Sequence, residues 1–256
     1  MKKKSKIIHI GLAVTAAALL CGGIYLLFKD DVAQKIEWDK IKDYAPNPIV
    51  CEVLDDVVQV NENSDIPQKI ADEMTSQVQN FGQIYSNSVG WIYVPDTNIN
   101  YPIMQSDDND FYLHRAADGS YLYAGSIFLD YRFNADFSGV SSILYGHNMD
   151  NGSMFADVKK FMDRSYFNSH RYGWLTAEND LFCVQFFAVD QTEITCGNYN
   201  TNADWRTVMS EVVNHAVIYD DIEISGTDRL LMLSTCTGAD SDSRTVLVGK
   251  IMEDYV

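Results

Sequence analysis

The chain has 256 residues, 46% of them hydrophobic and 12% aromatic, which is enough to bury a domain core and unlike a disordered protein. Its 36 acidic residues outnumber 19 Lys and Arg; four of the lysines and no acid lie in the first 28 positions, so the rest carries 15 minus 36, or −21. A surface of that sign repels nucleic acid, and no nucleic-acid partner is expected.

Residues 1–6 hold four lysines and read as a cytoplasmic basic segment. From Ile7 to Phe28, twenty-two residues run without a charge other than at His9. At about 1.5 Å per residue this is long enough to cross a bilayer core. Residues 7–28 are therefore expected to be a transmembrane anchor, with the N-terminus in the cytoplasm and the remainder outside the cell. A cleaved signal peptide competes with this reading, but no small-x-small site follows the run. Ala18-Leu19-Leu20-Cys21 resembles a lipoprotein box only faintly, because leucine precedes Cys21 where a small residue belongs.

Residues 29–66 are charged and irregular, broken by Pro46 and Pro48, and read as a stalk or linker with room for one short element. Across 67–87, Ile70, Met74, Val78, Phe81 and Tyr85 recur at spacings of four, four, three and four, which predicts a helix starting near Pro67 with one apolar face.

Residues 88–256 change to short β-rich runs: Gly90–Val94, Asn98–Met104, Ser126–Leu129, Val140–Tyr145, Leu181–Val189, Arg229–Ser234 and Thr245–Met252. Such a pattern predicts a mainly β fold, either a barrel or a sandwich. One helix interrupts it, Ala203–His215, capped by Thr201 or Asn202, with Trp205, Val208, Met209, Val212 and Val213 as its apolar face. A second helical stretch is expected around Ser153–Met162.

Five cysteines are an odd number with no C-x-x-C, so at least one thiol is free and neither a zinc ribbon nor a disulfide framework is suggested. Cys183 lies in an alternating apolar run and reads as a buried thiol. Nothing in the sequence supports a bridge between Cys51 and Cys196.

Cys236 differs from these. It closes the run "RLLMLSTC", so a buried strand would deliver its thiol to a groove, flanked by Ser234, Thr235 and Thr237. A thiol needs a nearby base or cation to become a nucleophile, and later an acid for the leaving group. His147 in "SSILYGHNMD" follows another apolar strand and is the best candidate among the histidines. His9, His114, His170 and His215 read as structural. Arg244 opens the last strand directly after the loop from Cys236, so adjacent pairing would return its guanidinium to the thiol. There it could hold an oxyanion, or it could simply cap the loop or pair with Asp240 or Asp242.

"LSTC" followed by arginine, with "YGHNM" upstream, resembles the sortases. The likeness extends through "WIYVPDTNINYPIMQ", "DNDFYLHR" and "GSIFLDYR" and is to class B members of that family, over essentially Ser88 to Val256. It implies a mainly β fold, an eight-stranded barrel with an N-terminal helix and a helix between late barrel strands. It also implies a Gram-positive cell-surface cysteine transpeptidase, with Cys236 as nucleophile, His147 as proton carrier and Arg244 as the guanidinium.

On that reading the partners are surface proteins with an LPxTG- or NPxTN-type sorting signal, cleaved after Thr, and a peptidoglycan cross-bridge or lipid-linked precursor amine. Ser234 and Thr235 are expected to line the substrate groove, although hydroxyls capping a strand end would look the same. No metal-ligand set or cofactor is expected. Where class B sortases often carry an aromatic and acidic segment after the cysteine, this chain has Gly238 to Ser243, a smaller loop. Three rival readings share these residues: a thiol peptidase, a pilin-polymerising sortase, and an inactive membrane-anchored binding module.

Overall fold

The computed structural model describes residues 28–45, 68–177, 180–193, 203–238 and 243–252. The proposed basic segment and nearly all of the anchor at 7–28 lie outside these residues, as do Cys51, Cys196, Asp240 and Asp242. Among the described residues no helix is long and apolar enough to cross a membrane.

Helix α1 spans 28–41 and α2 spans Gln68–Ile84. Nine strands follow: β1 Ser88–Tyr93, β2 Asn100–Met104, β3 Ile127–Leu129, β4 Ser141–Tyr145, β5 Tyr172–Ala177, β6 Asp180–Glu193, β7 Ala216–Tyr219, β8 Arg229–Cys236 and β9 Ser243–Met252. Helix α3, Arg164–Ser169, precedes β5, and α4, Trp205–His215, lies between β6 and β7. Their order is β5-β1-β2-β3-β4-β8-β9-β6, and β6 pairs back with β5. Eight strands thereby close a barrel without free edges, and β7 adds to β6 outside the ring.

The strands are buried on two faces, which explains their nearly continuous apolar text. Ile92, Ile103, Leu144, Leu231, Leu233 and Val248 belong to the main core. Trp91, Met104 and Phe128 face outward into a second cluster with Val78 and Phe81 of α2 and Ile41 of α1. Phe81 meets Trp91 edge-on at 5.7 Å, and the indole donates to Asn100 Oδ1 at 2.7 Å. Each such aromatic contributes about 1.5–3 kcal/mol through burial.

All seven expected runs are strands, and the stretch at Ser153–Met162 contains a 3-10 helix, Ala156–Met162. Three details differ. The segment read as a stalk holds α1, which packs on the barrel through Ile41. The helix expected from Ala203 starts at Trp205, and its cap is Asp204, whose Oδ1 accepts from Thr207 N at 3.0 Å. Its apolar face buries Val208 and Val212 but leaves Val213 52% exposed. Strands β5 and β7 are additional to the runs read from sequence.

Candidate active site

Strands β8 and β9 pair antiparallel from Arg229↔Ile251 to Cys236↔Arg244, so the nucleophile candidate and the guanidinium are the last cross-strand pair of the ladder. Arg244 Nη1 donates to Cys236 Sγ. Just beyond them Thr237 N donates to Ser243 O at 2.9 Å, closing the neck of the loop. Cys236 remains partly accessible, whereas Cys183 is a buried free thiol whose pKa burial drives far upward. The expectation of a buried thiol at Cys183 is thus met, and of these two described cysteines the accessible one is beside the cation.

Strands β4 and β8 run parallel, with Tyr145 opposite Ser234. The ladder ends at that pair, with His147 two residues beyond Tyr145 and Cys236 two residues beyond Ser234. Two bonds carry the alignment past the strand end: Gly146 N donates to Ser234 O at 3.2 Å, and Thr235 Oγ1 donates to Gly146 O at 2.8 Å. Ser234 and Thr235, read as groove residues, are 5% and 2% exposed. In this state their polar atoms tie the strand carrying Cys236 to the segment carrying His147.

The His147 Nε2 lies 2.9 Å from the carbonyl oxygen of Leu113. A carbonyl only accepts, so Nε2 holds a hydrogen and Nδ1 is the nitrogen left to exchange a proton. The ring stacks on His114, with centroids 5.2 Å apart, and lies parallel to Tyr123 within 6°. Burial lowers the His147 pKa below its usual value; the Leu113 carbonyl opposes this, and electrostatic repulsion from the His114 and Arg244 side chains reinforces it. The neutral imidazole is therefore favoured at rest.

His114, read as structural, is thus a stacking neighbour of the proposed proton carrier. Its Nδ1 is bonded to the Tyr123 carbonyl at 2.9 Å, which fixes the stack. Among the described residues, His170 is bonded to the Tyr166 carbonyl and His215 to the Glu211 carbonyl within their own helical turns, as structural histidines are. A thiol, a guanidinium donating to it and an oriented imidazole at one end of a barrel can carry acyl transfer through a thioester. No group of three or more metal-ligating side chains occurs among the described residues.

Residues 92–252 match the family model described as the sortase domain. The chain belongs to the sortase family. It is 34% identical over 206 residues to sortase B of Listeria monocytogenes, covering 78% of this chain and 84% of that one. The crystal structure of Bacillus anthracis sortase B in complex with AAEK1 matches with a TM-score of 0.63 at 34% identity, over 69% of this chain and 84% of that one. A Streptococcus pyogenes class B sortase involved in pilus biogenesis matches with a TM-score of 0.63 at 28% identity, over 68% and 97%. The chain is a class B sortase, a cysteine transpeptidase, and its closed eight-stranded barrel with helices at the N-terminus and between late strands is the fold of that class.

Proposed function

We propose that this sortase is held at the outer face of the cell membrane by residues 7–28, cleaves an LPxTG- or NPxTN-type sorting signal after its threonine, and transfers the acyl group to a peptidoglycan amine. The observation that supports this best is the terminal β8–β9 pair, Cys236 opposite Arg244, with His147 just past the end of β4, the strand that runs parallel beside β8.

Nδ1 of His147 takes the proton of the Cys236 thiol, and the thiolate attacks the threonine carbonyl carbon. The guanidinium of Arg244, already a donor to the sulfur, steadies first the thiolate and then the oxyanion that forms beside it. As the C–N bond breaks, protonated Nδ1 of His147 gives its proton to the leaving amine, and a thioester remains. An incoming amine loses a proton to Nδ1 as it attacks, the amide forms, and the C–S bond breaks. The lowered pKa of His147 makes the imidazolium a willing acid in the first half and leaves free imidazole as the base in the second.

Pilin polymerisation is the second reading, supported by the likeness to the Streptococcus pyogenes enzyme. It differs in using a protein lysine as acceptor. To test both, the enzyme is given LPxTG- and NPxTN-type peptides with water, triglycine or a lysine-bearing pilin peptide as acceptor. Preferential formation of the triglycine adduct supports anchoring, and preference for lysine supports polymerisation. Hydrolysis unaffected by either amine contradicts both.

A further inference from the structure

Helix α1 reaches both loops that hold His147. At its first half, Asn151 Nδ2 donates to Asp31 Oδ1 at 2.8 Å and to Gln34 Oε1 at 3.0 Å, and Gln34 Nε2 donates to Ser153 Oγ at 2.7 Å. Asn151 and Ser153 belong to the loop that starts at His147 and folds back on it, since Phe155 N donates to His147 O at 2.9 Å and Asn148 bridges Met154. Midway along α1, Trp38 packs edge-on against Tyr101 at 6.0 Å, and the Tyr101 hydroxyl accepts from Met154 N at 2.9 Å in the same loop. Near its end, Lys40 Nζ donates to Asp118 Oδ2 at 3.3 Å. Asp118 in turn accepts from Ser120, in the loop between His114 and Leu122, whose start supplies the Leu113 carbonyl and the His114 ring to His147.

We propose that α1 is a strap that sets the imidazole of His147, which makes Asp31, Gln34, Asn151 and Ser153 positioning residues for acyl transfer. The bonds from Asn151 to Asp31 and Gln34 and from Lys40 to Asp118 are too exposed to add much stability singly. Their effect is geometric: one rigid helix spans the two loops that hold the histidine, and proton transfer is steep in distance.

This inference rests on the proton role proposed for His147. Full-length wild type, Asp31→Ala/Gln34→Ala, His147→Ala and a control, Asp39→Ala, whose side chain pairs locally with Lys42 just past the end of α1, are compared in peptide transfer. The imidazole of His147 is also followed by NMR against pH. The double variant is expected to lose roughly tenfold in kcat with KM for the sorting peptide unchanged. Its His147 pKa should rise toward the usual value as the ring loosens and hydrates, while Asp39→Ala matches wild type in both. Wild-type kcat and an unmoved His147 pKa in the double variant, with His147→Ala inactive, would overturn the strap alone. An active His147→Ala would overturn the proton role beneath it.

Discussion

Cys236 and Arg244 are direct cross-strand partners at the last rung of the β8–β9 ladder, and the guanidinium donates to the sulfur. The sequence separation of eight residues is what a hairpin with its loop at 237–243 requires, so the chemistry is placed by strand register and does not depend on the loop's conformation. If this pair carries the oxyanion as well as the thiolate, Arg244→Ala should lower kcat/KM for sorting-peptide cleavage by about 10²–10³. Arg244→Lys should recover only part of it, because an ammonium lacks the planar fork. A loss within threefold for Arg244→Ala would contradict that role.

The lowered pKa of His147 has a consequence for stability. The folded chain binds the proton more weakly than the unfolded one, whose histidine titrates near 6.5. The folded state is therefore unpenalised above that value and loses stability as pH falls below it toward the folded pKa. Between about pH 7.5 and about pH 5.5 the urea midpoint of wild type should fall further than that of His147→Gln. Equal falls would show that burial does not hold the imidazole neutral.

Gly146 stands between Tyr145 and His147 with no room beside it: an added Cβ would come within 2.8 Å of the Phe155 ring and closer still to Ile127. Gly146→Ala is expected to cost about 1–3 kcal/mol from overpacking. It should also displace His147, the next residue, reducing kcat more than the stability loss explains at a temperature where the variant is fully folded. Unchanged kcat with a lowered melting temperature would separate the packing role from the catalytic one.

Asp130 is fully buried after β3. Burial pushes its carboxyl up, but the Arg132 fork and the amide of Asn109 outweigh that and hold it below the usual range. Arg132 donates through Nε at 2.9 Å and Nη2 at 2.6 Å, and the Tyr145 hydroxyl donates at 3.1 Å. Asp130→Ala should destabilise the protein by about 3 kcal/mol in urea unfolding. A change below about 1 kcal/mol would mean that the network is replaceable by solvent.

Much of this was legible in the text of the chain. Runs such as "RLLMLSTC" and "SSILYG" announce buried strands, and a cysteine and a histidine just past two such runs announce a site. Strands β5 and β7 were hidden for local reasons. Tyr172–Ala177 starts inside the polar stretch "NSHRYG", with Gly173 as its second residue, and Ala216–Tyr219 follows α4 without a break. The cap of α4 was misplaced because Thr201, Asn202 and Asp204 all suit an N-cap, and only the bond to Thr207 N selects one. His114 gave no signal, since its stacking on His147 joins two loops 33 residues apart that meet only in the closed barrel. The role of α1 was equally out of reach: Asp31 and Gln34 read as solvent-facing polar residues until Asn151 lies against them.

The central claim is that Cys236 forms the acyl-enzyme. The most direct measurement is mass spectrometry of the protein quenched during turnover of a sorting peptide, followed by mapping of the modified residue. The predicted result is one acyl mass on the fragment containing Cys236, absent in Cys236→Ala and discharged by triglycine with appearance of the transfer product. Turnover that continues in Cys236→Ala, or an adduct that maps to Cys183 instead, would contradict the account.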